Sequence, residues 1–291
     1  MPATRPRRSV LYMPGAKARA LEKARGLPAD ALILDLEDAV GPSEKAAARD
    51  LVVEAVRAGG FGPREVTIRV NGLETPWGEA DLAAAAAAKP DAVVIPKVDR
   101  PEDLAAARAR LEAAGAGEVA LWAMMETPLG VLNAREIAAA PGLACLVMGT
   151  NDLVKELGAE HSEGRGEVAT ALGLCLLAAR ARGLAILDGV YNAFRDAEGL
   201  ERVCREGRAM GFDGKTLIHP DQLEVTNRVF APSEAELELA RRQLAAFEET
   251  RAKGEAVAVV DGRIVENLHV ETAKALIAKA EAIAELEAAA A

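Results

Sequence analysis

Two carboxylates end two similar apolar segments in the middle of the chain. Glu126 closes V-A-L-W-A-M-M-E, and Asp152 closes L-A-C-L-V-M-G-T-N-D. Each segment is short and bounded by Gly or Pro, as buried parallel strands are. Because the functional groups of parallel α/β folds gather at the carboxyl ends of the strands, we expect Glu126 and Asp152 to lie side by side. Two adjacent carboxylates repel each other, and a hard divalent cation such as Mg²⁺ relieves that repulsion.

Helix capping is the simpler interpretation of each acid taken alone. Asp152 precedes an apolar helical segment, and Glu126 precedes Thr127-Pro128. Acidic side chains are common at helix N-termini. The repetition of the pattern on two consecutive predicted strands favours the metal site.

A buried arginine and three further acids lie on two earlier segments. Arg69 interrupts the apolar run E-V-T-I-R-V-N-G, which is costly unless the guanidinium meets an anion. We expect it either to pair with an acid such as Glu37 or, the favoured alternative, to face an anionic substrate. The preceding strand, A-L-I-L-D-L-E-D, ends in acids. Strand alternation places Asp35 and Glu37 on one face and Asp38 on the other.

An alternation of strands and helices positions these residues. Eight predicted strands recur at roughly 25 to 30 residues with seven helices between them, which predicts a closed (β/α)8 TIM barrel. An open doubly wound sheet is the alternative, but it commonly has a Gly-rich phosphate loop after its first strand. The predicted strands cover residues 9–15, 31–38, 65–72, 92–98, 119–126, 143–152, 184–190 and 212–220.

The pattern changes after the eighth strand. A long charged helix is predicted over Ser233–Lys253, a hairpin over Glu255–Val265 with its turn at Asp261-Gly262, and a final amphipathic helix over Val270–Leu286. A lone hairpin with a flanking helix has too little core to be stable alone. We therefore expect this segment to pack on the barrel or on another subunit.

The chain is thus predicted to contain a barrel over residues 1–230 and a C-terminal helix-hairpin-helix extension over residues 231–291. The first helix of the extension has an apolar stripe at Leu237, Leu244 and Phe247 that requires a partner surface. A neighbouring barrel could supply it.

Composition restricts the class of ligand. The 291-residue chain has a formal net charge of -10, which argues against nucleic acid or an anionic membrane as the main partner. Cys145, Cys175 and Cys204 form no CxxC pair, and we expect them to be reduced core residues of a cytoplasmic protein. The basic N-terminus precedes only a short apolar run, unlike a signal peptide or a membrane span. A small-molecule ligand is expected.

Eight motifs carry a resemblance to a known family. They are R-S-V-L-Y-M-P-G, L-D-L-E-D-A-V, I-R-V-N-G, I-P-K-V, M-M-E-T-P-L-G, M-G-T-N-D-L, G-K-T-L-I-H-P and D-G-R-I-V-E. In this order, across nearly the whole chain, they resemble the citrate lyase beta subunit-like (CitE-like) branch of the HpcH/HpaI aldolase superfamily. That branch includes malyl-CoA, β-methylmalyl-CoA and citramalyl-CoA lyases and a malyl-CoA thioesterase. The resemblance implies trimeric or hexameric barrels that bind Mg²⁺ and CoA thioesters, with a C-terminal segment over a neighbour's active site.

The resemblance also implies roles for individual residues. Glu126 and Asp152 match the metal ligands, and Arg69 matches the arginine that polarises the reacting carbonyl. Glu37 and Asp38 match acids that support this machinery.

Three residues outside that group follow from the resemblance as well. Lys17 and Lys23 fall where basic residues meet the CoA phosphates, although a solvated helix face explains them almost as well. Glu266 falls where family lyases commonly have an aspartate. We expect Glu266 to be the catalytic base and to act on a neighbouring subunit; the alternative is an acid that favours the dipole of the final helix.

The expected activity is Mg²⁺-dependent carbon-carbon cleavage. A divalent ion and a guanidinium can stabilise an enolate and polarise a second carbonyl. A 3-hydroxyacyl-CoA such as (S)-malyl-CoA would give acetyl-CoA and a 2-oxo acid. Because Glu266 is longer than aspartate by one methylene, and a misplacement on the order of 1 Å can cost ~100-fold in rate, a (3S)-malyl-CoA thioesterase is the alternative. A non-autonomous citrate lyase beta-type subunit is the third.

Overall fold

Eight parallel strands form a closed barrel in the computed structural model, which describes residues 5–252, 254 and 256–290. Each strand pairs with its neighbours in sequence, and the last pairs with the first. The strands are β1 (Ser9–Pro14), β2 (Ala31–Asp35), β3 (Glu65–Arg69), β4 (Ala92–Ile95), β5 (Ala120–Met125), β6 (Leu143–Met148), β7 (Ala185–Asp188) and β8 (Gly214–Leu217). The predicted (β/α)8 barrel is confirmed.

Helices surround the barrel and connect its strands. They are α1 (Ala18–Ala24), α2 (Lys45–Ala58), α3 (Gly78–Ala88), α4 (Pro101–Ala113), α5 (Pro128–Leu132), α6 (Ala134–Ile137), α7 (Thr150–Glu156), α8 (Gly166–Arg182), α9 (Ala197–Met210) and α10 (Leu223–Phe230). The apolar helical segment noted beside Asp152 is α7, although Asp152 lies within it rather than before it. The sequence pattern did not predict α10, which is short and directly follows turn residues.

The strands end earlier than their apolar and acidic residues suggested. β2 stops at Asp35, so Glu37 and Asp38 lie on the loop that follows. β6 stops at Met148, and Asp152 lies in the first turn of α7. The prediction that Asp152 ends a strand is therefore wrong, although the residue lies at the expected rim of the barrel.

The core has two layers because both faces of every strand are buried. A small inner cluster fills the barrel, and Trp122 on β5 is its largest fully buried side chain. A larger cluster packs the outer faces of the strands against the surrounding helices. This arrangement explains why the strands read as continuous apolar runs without alternation.

The C-terminal extension contains two helices and a hairpin: α11 (Glu234–Ala252), β9 (Ala258–Val260), β10 (Arg263–Val265) and α12 (Asn267–Ala290). Asp261 and Gly262 have φ values of +50° and +73°, as a two-residue hairpin turn requires. The predicted helix end at Lys253 and hairpin start at Glu255 lie outside the described residues.

The apolar stripe of α11 is covered by its own chain. Leu244 and Phe247 pack with Ala258, Val265 and Val270 from the hairpin and α12. The prediction that a neighbouring barrel covers this stripe is therefore wrong, because the extension has its own small core.

Ion pairs attach both helices of the extension to the amino-terminal rim of the barrel. Glu236 near the start of α11 pairs with Arg208 on α9 at 2.8 Å, and Glu287 near the end of α12 pairs with Arg8 at 2.9 Å. Arg8 immediately precedes β1. This rim lies opposite the carboxyl ends of the strands. The division into residues 1–230 and 231–291 remains a prediction.

None of the helices in the described ranges is long and apolar enough to cross a membrane.

Candidate active site

A cavity of about 300 Å³ opens at the carboxyl ends of the strands. Four of the predicted site residues line it: Arg69, Asp38, Glu126 and Asp152. Glu37 is not among the lining residues but pairs with Arg69. The other three predicted residues lie elsewhere: Lys17 and Lys23 are exposed on and before α1, and Glu266 is exposed at the end of the hairpin.

Glu126 is an almost completely buried carboxylate, with 1% of its surface exposed. Its Oε1 accepts a hydrogen bond from the backbone N–H of Lys97 at 2.8 Å. Burial raises the pKa of Glu126 to about 8, and the charges of Glu37 and Asp152 act in the same direction. Glu126 does not cap a helix, since Thr127 caps α5 by accepting a hydrogen bond from the Gly130 N–H.

Asp152 lies on the neighbouring loop-helix connection and faces the same cavity. It is the third residue of α7 and is half-buried. The connection approaches Glu126 closely because Gly149 has no side chain: a Cβ there would lie 2.3 Å from Glu126 Oε2. A glycine at this position therefore lets the two carboxylates share one cavity.

These two acids fit a magnesium ion. No group of three or more His, Cys, Asp or Glu side chains within the described part of the chain has metal-binding geometry. Mg²⁺ commonly uses only one or two carboxylates and completes its octahedron with water and substrate. The raised pKa of Glu126 also indicates that its negative charge lacks sufficient compensation from the protein. A divalent cation would provide it.

We expect metal-free protein to lose stability as the pH rises toward 8. The pKa of Glu126 is raised from its ordinary value of 4.5 to about 8, so its stabilising contribution is complete below pH 4.5 and is lost as the pH rises through 8. Relative to Glu126→Gln, the unfolding free energy of the wild type should fall by ~1.4 kcal/mol per pH unit in this window. Denaturant titrations of both proteins in chelator would measure it. A pH-independent difference would contradict the assignment, and saturating Mg²⁺ should reduce the slope.

Arg69 is held by three acids at once. Its Nε and Nη2 donate to the two carboxylate oxygens of Asp35, at 2.7 Å each. Its Nη1 lies 2.8 Å from Glu37 Oε2 and 3.3 Å from Asp38 Oδ2. Burial opposes its charge, but Asp35 overcomes this effect and raises the pKa of Arg69 well above its ordinary value. Arg69 is thus paired with acids and also lines the cavity. That it faces an anionic substrate stays a prediction.

The predicted separation of Asp35, Glu37 and Asp38 onto two faces is wrong. Because β2 ends at Asp35, the chain turns and brings all three acids to Arg69. Asp35 also accepts hydrogen bonds from the backbone N–H groups of Glu37 and Ala39, which fixes the turn. Asp35 can bind Arg69 because the two residues lie opposite each other in the register of β2 and β3. Sequence spacing alone does not give that register.

Lys97 is a site residue that the sequence interpretation did not select. Its Nζ donates to Glu37 Oε1 at 2.7 Å, while its backbone N–H binds Glu126. Its φ of +48° lies in the left-handed region, which residues other than glycine rarely adopt. Although burial acts against the charge, the hydrogen bond to Glu37 raises the pKa of Lys97. A lysine directly after a strand and a proline, in I-P-K-V, was the available signal.

A buried polar network supports the acidic loop. Lys45 Nζ donates to the carbonyls of Leu36 and Glu37, at 2.8 and 2.7 Å, and to Asn71 Oδ1 at 2.7 Å. Asn71 in turn donates to the Leu36 carbonyl and to Asp81. The loop that carries Glu37 is therefore fixed from its buried side. A 3₁₀ turn, Pro42–Glu44, precedes α2, and no side chain caps that helix.

Known proteins resemble this chain over most of its length. The family model for HpcH/HpaI aldolase/citrate lyase matches residues 8–220. A (3S)-malyl-CoA thioesterase from Cereibacter sphaeroides is 61% identical over 279 residues, which is 96% of each chain. The citrate lyase subunit beta of Escherichia coli is 34% identical, with 96% of this chain and 94% of the relative covered.

A solved structure has the same overall architecture. It is the CitE protein from Mycobacterium tuberculosis in complex with magnesium, acetoacetate and coenzyme A, which superimposes with a TM-score of 0.77 at 29% identity and covers 94% of this chain and 97% of the other. The family match over residues 8–220 and these likenesses establish that the chain belongs to the HpcH/HpaI aldolase/citrate lyase family.

Proposed function

We propose that the protein is a Mg²⁺-dependent (3S)-malyl-CoA thioesterase. The observation that carries this proposal is the 61% identity to a (3S)-malyl-CoA thioesterase along 96% of both chains. The L-malyl-CoA/beta-methylmalyl-CoA lyase of Cereibacter sphaeroides is only 32% identical. This difference favours hydrolysis, the alternative in the sequence interpretation, over carbon-carbon cleavage.

The residues around the cavity support this chemistry. Glu126 and Asp152 would hold the ion, which when bound supplies Lewis-acid polarisation of the thioester carbonyl. Asp35 fixes the guanidinium of Arg69 so that its Nη1 end stabilises negative charge on the acyl group. Glu37 and Asp38 hold the same end, and Lys97 offsets part of their charge.

Hydrolysis also requires a base for the attacking water. Water adds its oxygen to the thioester carbon, the carbon-sulfur bond breaks, and the products are malate and CoA. Glu266 accepts the water proton in our proposal. Glu266 is exposed and lines no cavity described for its own barrel. This exposure supports our proposal that Glu266 serves a site on a second copy of the chain.

Exposed apolar side chains beside Glu266 support this arrangement. Val259, Ile264 and Leu268 are 64%, 59% and 62% exposed. Leaving such a cluster in water is unfavourable, and packing on another subunit would bury it. We infer a homotrimer or hexamer in which the hairpin of one copy covers the cavity of the next. Lys17, exposed just before α1, and Lys23, exposed in the last turn of α1, are proposed to meet the CoA phosphates.

The lyase remains the second candidate, since the same carboxylate pair and arginine could stabilise an enolate. Incubating the protein with Mg²⁺ and (3S)-malyl-CoA distinguishes the candidates. Malate and free CoA without acetyl-CoA support the thioesterase. Acetyl-CoA and glyoxylate as products would support the lyase instead. No turnover would favour a subunit that depends on a partner, in line with the similarity to citrate lyase subunit beta.

Arg69→Lys should lower kcat far more than it raises KM. Lysine keeps the charge but loses the planar fork that binds Asp35 through two nitrogens. If the guanidinium acts on the transition state, we expect kcat to fall ~100-fold or more with little change in KM. Steady-state kinetics with a thermal melt would test this. A lower melting temperature with unchanged kcat would assign Arg69 a purely structural role.

A further inference from the structure

The hydroxyl of Tyr12 is a poorly used hydrogen-bond donor inside the cavity. Tyr12 lies on β1 and lines the cavity beside Arg69 and Met124. Within the described residues, its hydroxyl makes one hydrogen bond, to Met124 Sδ at 3.3 Å. A thioether is a weak acceptor, whereas carboxylate, hydroxyl and carbonyl oxygens are strong ones.

The ring of Tyr12 is held in place while its hydroxyl remains adaptable. The guanidinium carbon of Arg69 lies 4.9 Å from the ring centroid, and Arg69 is itself fixed by Asp35. The hydroxyl hydrogen can rotate without moving the ring. Burial raises the pKa of Tyr12, so the group keeps its proton at neutral pH and can donate it to a hydrogen bond.

The cavity size and its other groups indicate what the hydroxyl meets. About 300 Å³ has room for a small acyl group rather than a whole coenzyme. Glu126 and Asp152 line the same space, so the end of the substrate held near the metal also lies near Tyr12. A malyl group carries a carboxylate, a hydroxyl and the thioester oxygen, each a better acceptor than sulfur.

We propose that the Tyr12 hydroxyl leaves the Met124 sulfur when substrate binds and donates a hydrogen bond to an oxygen of the acyl group. The identity of that group as malyl rests on the proposed function. Tyr12 is thus a substrate-contacting residue that recognises an oxygen-rich acyl end.

Tyr12→Phe tests the proposal, because it removes the hydroxyl and keeps the ring against Arg69. We expect the dissociation constant of malate, measured by calorimetry with Mg²⁺ present, to rise ~10-fold or more, as for a lost hydrogen bond to a charged group. The kcat/KM for (3S)-malyl-CoA should fall ~10- to 100-fold. A malate affinity equal to that of the wild type would overturn the proposal.

Two control variants separate this contact from packing. Tyr191→Phe removes the hydroxyl of the other tyrosine, which binds Asp196 at 2.6 Å outside the cavity, and should not change malate affinity. Met124→Leu removes the sulfur acceptor but keeps the Tyr12 hydroxyl, so its loss of malate affinity should be clearly smaller than that of Tyr12→Phe. Equal losses in Met124→Leu and Tyr12→Phe would show that only their mutual packing matters, which also overturns the proposal.

The same measurements separate this proposal from the proposed function. If the wild type forms acetyl-CoA and glyoxylate from malyl-CoA, the thioesterase assignment fails. The Tyr12→Phe comparison then proceeds unchanged with that reaction and with malate binding.

Discussion

Glu126→Gln and Asp152→Asn are each expected to remove Mg²⁺-dependent turnover, with a fall in kcat of at least ~100-fold. Each substitution removes a negative charge and nearly preserves shape, so the change acts on the metal rather than on packing. The loss should be large because electrostatic stabilisation of the transition state commonly contributes more to such catalysis than any other effect. Turnover measured against Mg²⁺ concentration, with Mg²⁺ binding by calorimetry, would test both variants.

Glu126→Gln should not destabilise the protein. Glu126 is 1% exposed and has a pKa of about 8 without metal, so a neutral glutamine should not lower the melting temperature near that pH. Glu156→Gln is the matched control, because Glu156 lies on α7 with Asp152 but is exposed to solvent. It should keep full activity. Full activity of either site variant at limiting Mg²⁺ would refute the metal assignment.

The sequence predicted the architecture because the apolar strands and amphipathic helices repeat with one period around the barrel. It identified Glu126 and Arg69 for a similar reason: a charged residue within or at the end of a buried strand is costly without a partner. The partners themselves were harder to predict. Asp35 binds Arg69 through strand register, and Lys97 reaches Glu126 through its backbone at positive φ. Neither contact has a sequence pattern of its own.

Strand ends and the extension were the least predictable parts. Glu37 and Asp38 continue the apparent strand, yet the hydrogen bonds of Asp35 to the next backbone N–H groups turn the chain away from the sheet. A neighbouring barrel was one possible partner for the α11 stripe, but Phe247 contacts the core formed by the hairpin and α12. Local patterns indicate that a surface needs a partner, but they do not say which surface meets it.

Glu266→Ala is expected to lower kcat by ~100- to 10,000-fold, the usual contribution of a general base, with Mg²⁺ binding unchanged. The metal site and Glu266 belong to different parts of the chain. Both ends of the extension attach to the rim opposite the cavity, and α11, at 1.5 Å per residue over 19 residues, extends ~28 Å from that attachment toward the hairpin. The hairpin leaves its apolar residues Val259 and Ile264 exposed.

Mixing two inactive chains tests whether Glu266 acts on a neighbour. Glu266→Ala keeps the metal site, and Asp152→Asn keeps the base. In a head-to-tail ring assembled from equal amounts of both, about one quarter of the sites would combine an intact metal site with a Glu266 from the adjacent copy. We therefore expect part of the activity to return on mixing, and none if Glu266 serves its own barrel. Mass spectrometry of differently tagged chains would verify subunit exchange. If the chains exchange and no activity returns, Glu266 either acts within its own subunit or takes no part in catalysis. In the second case, its charge is explained by a favourable interaction with the dipole of α12.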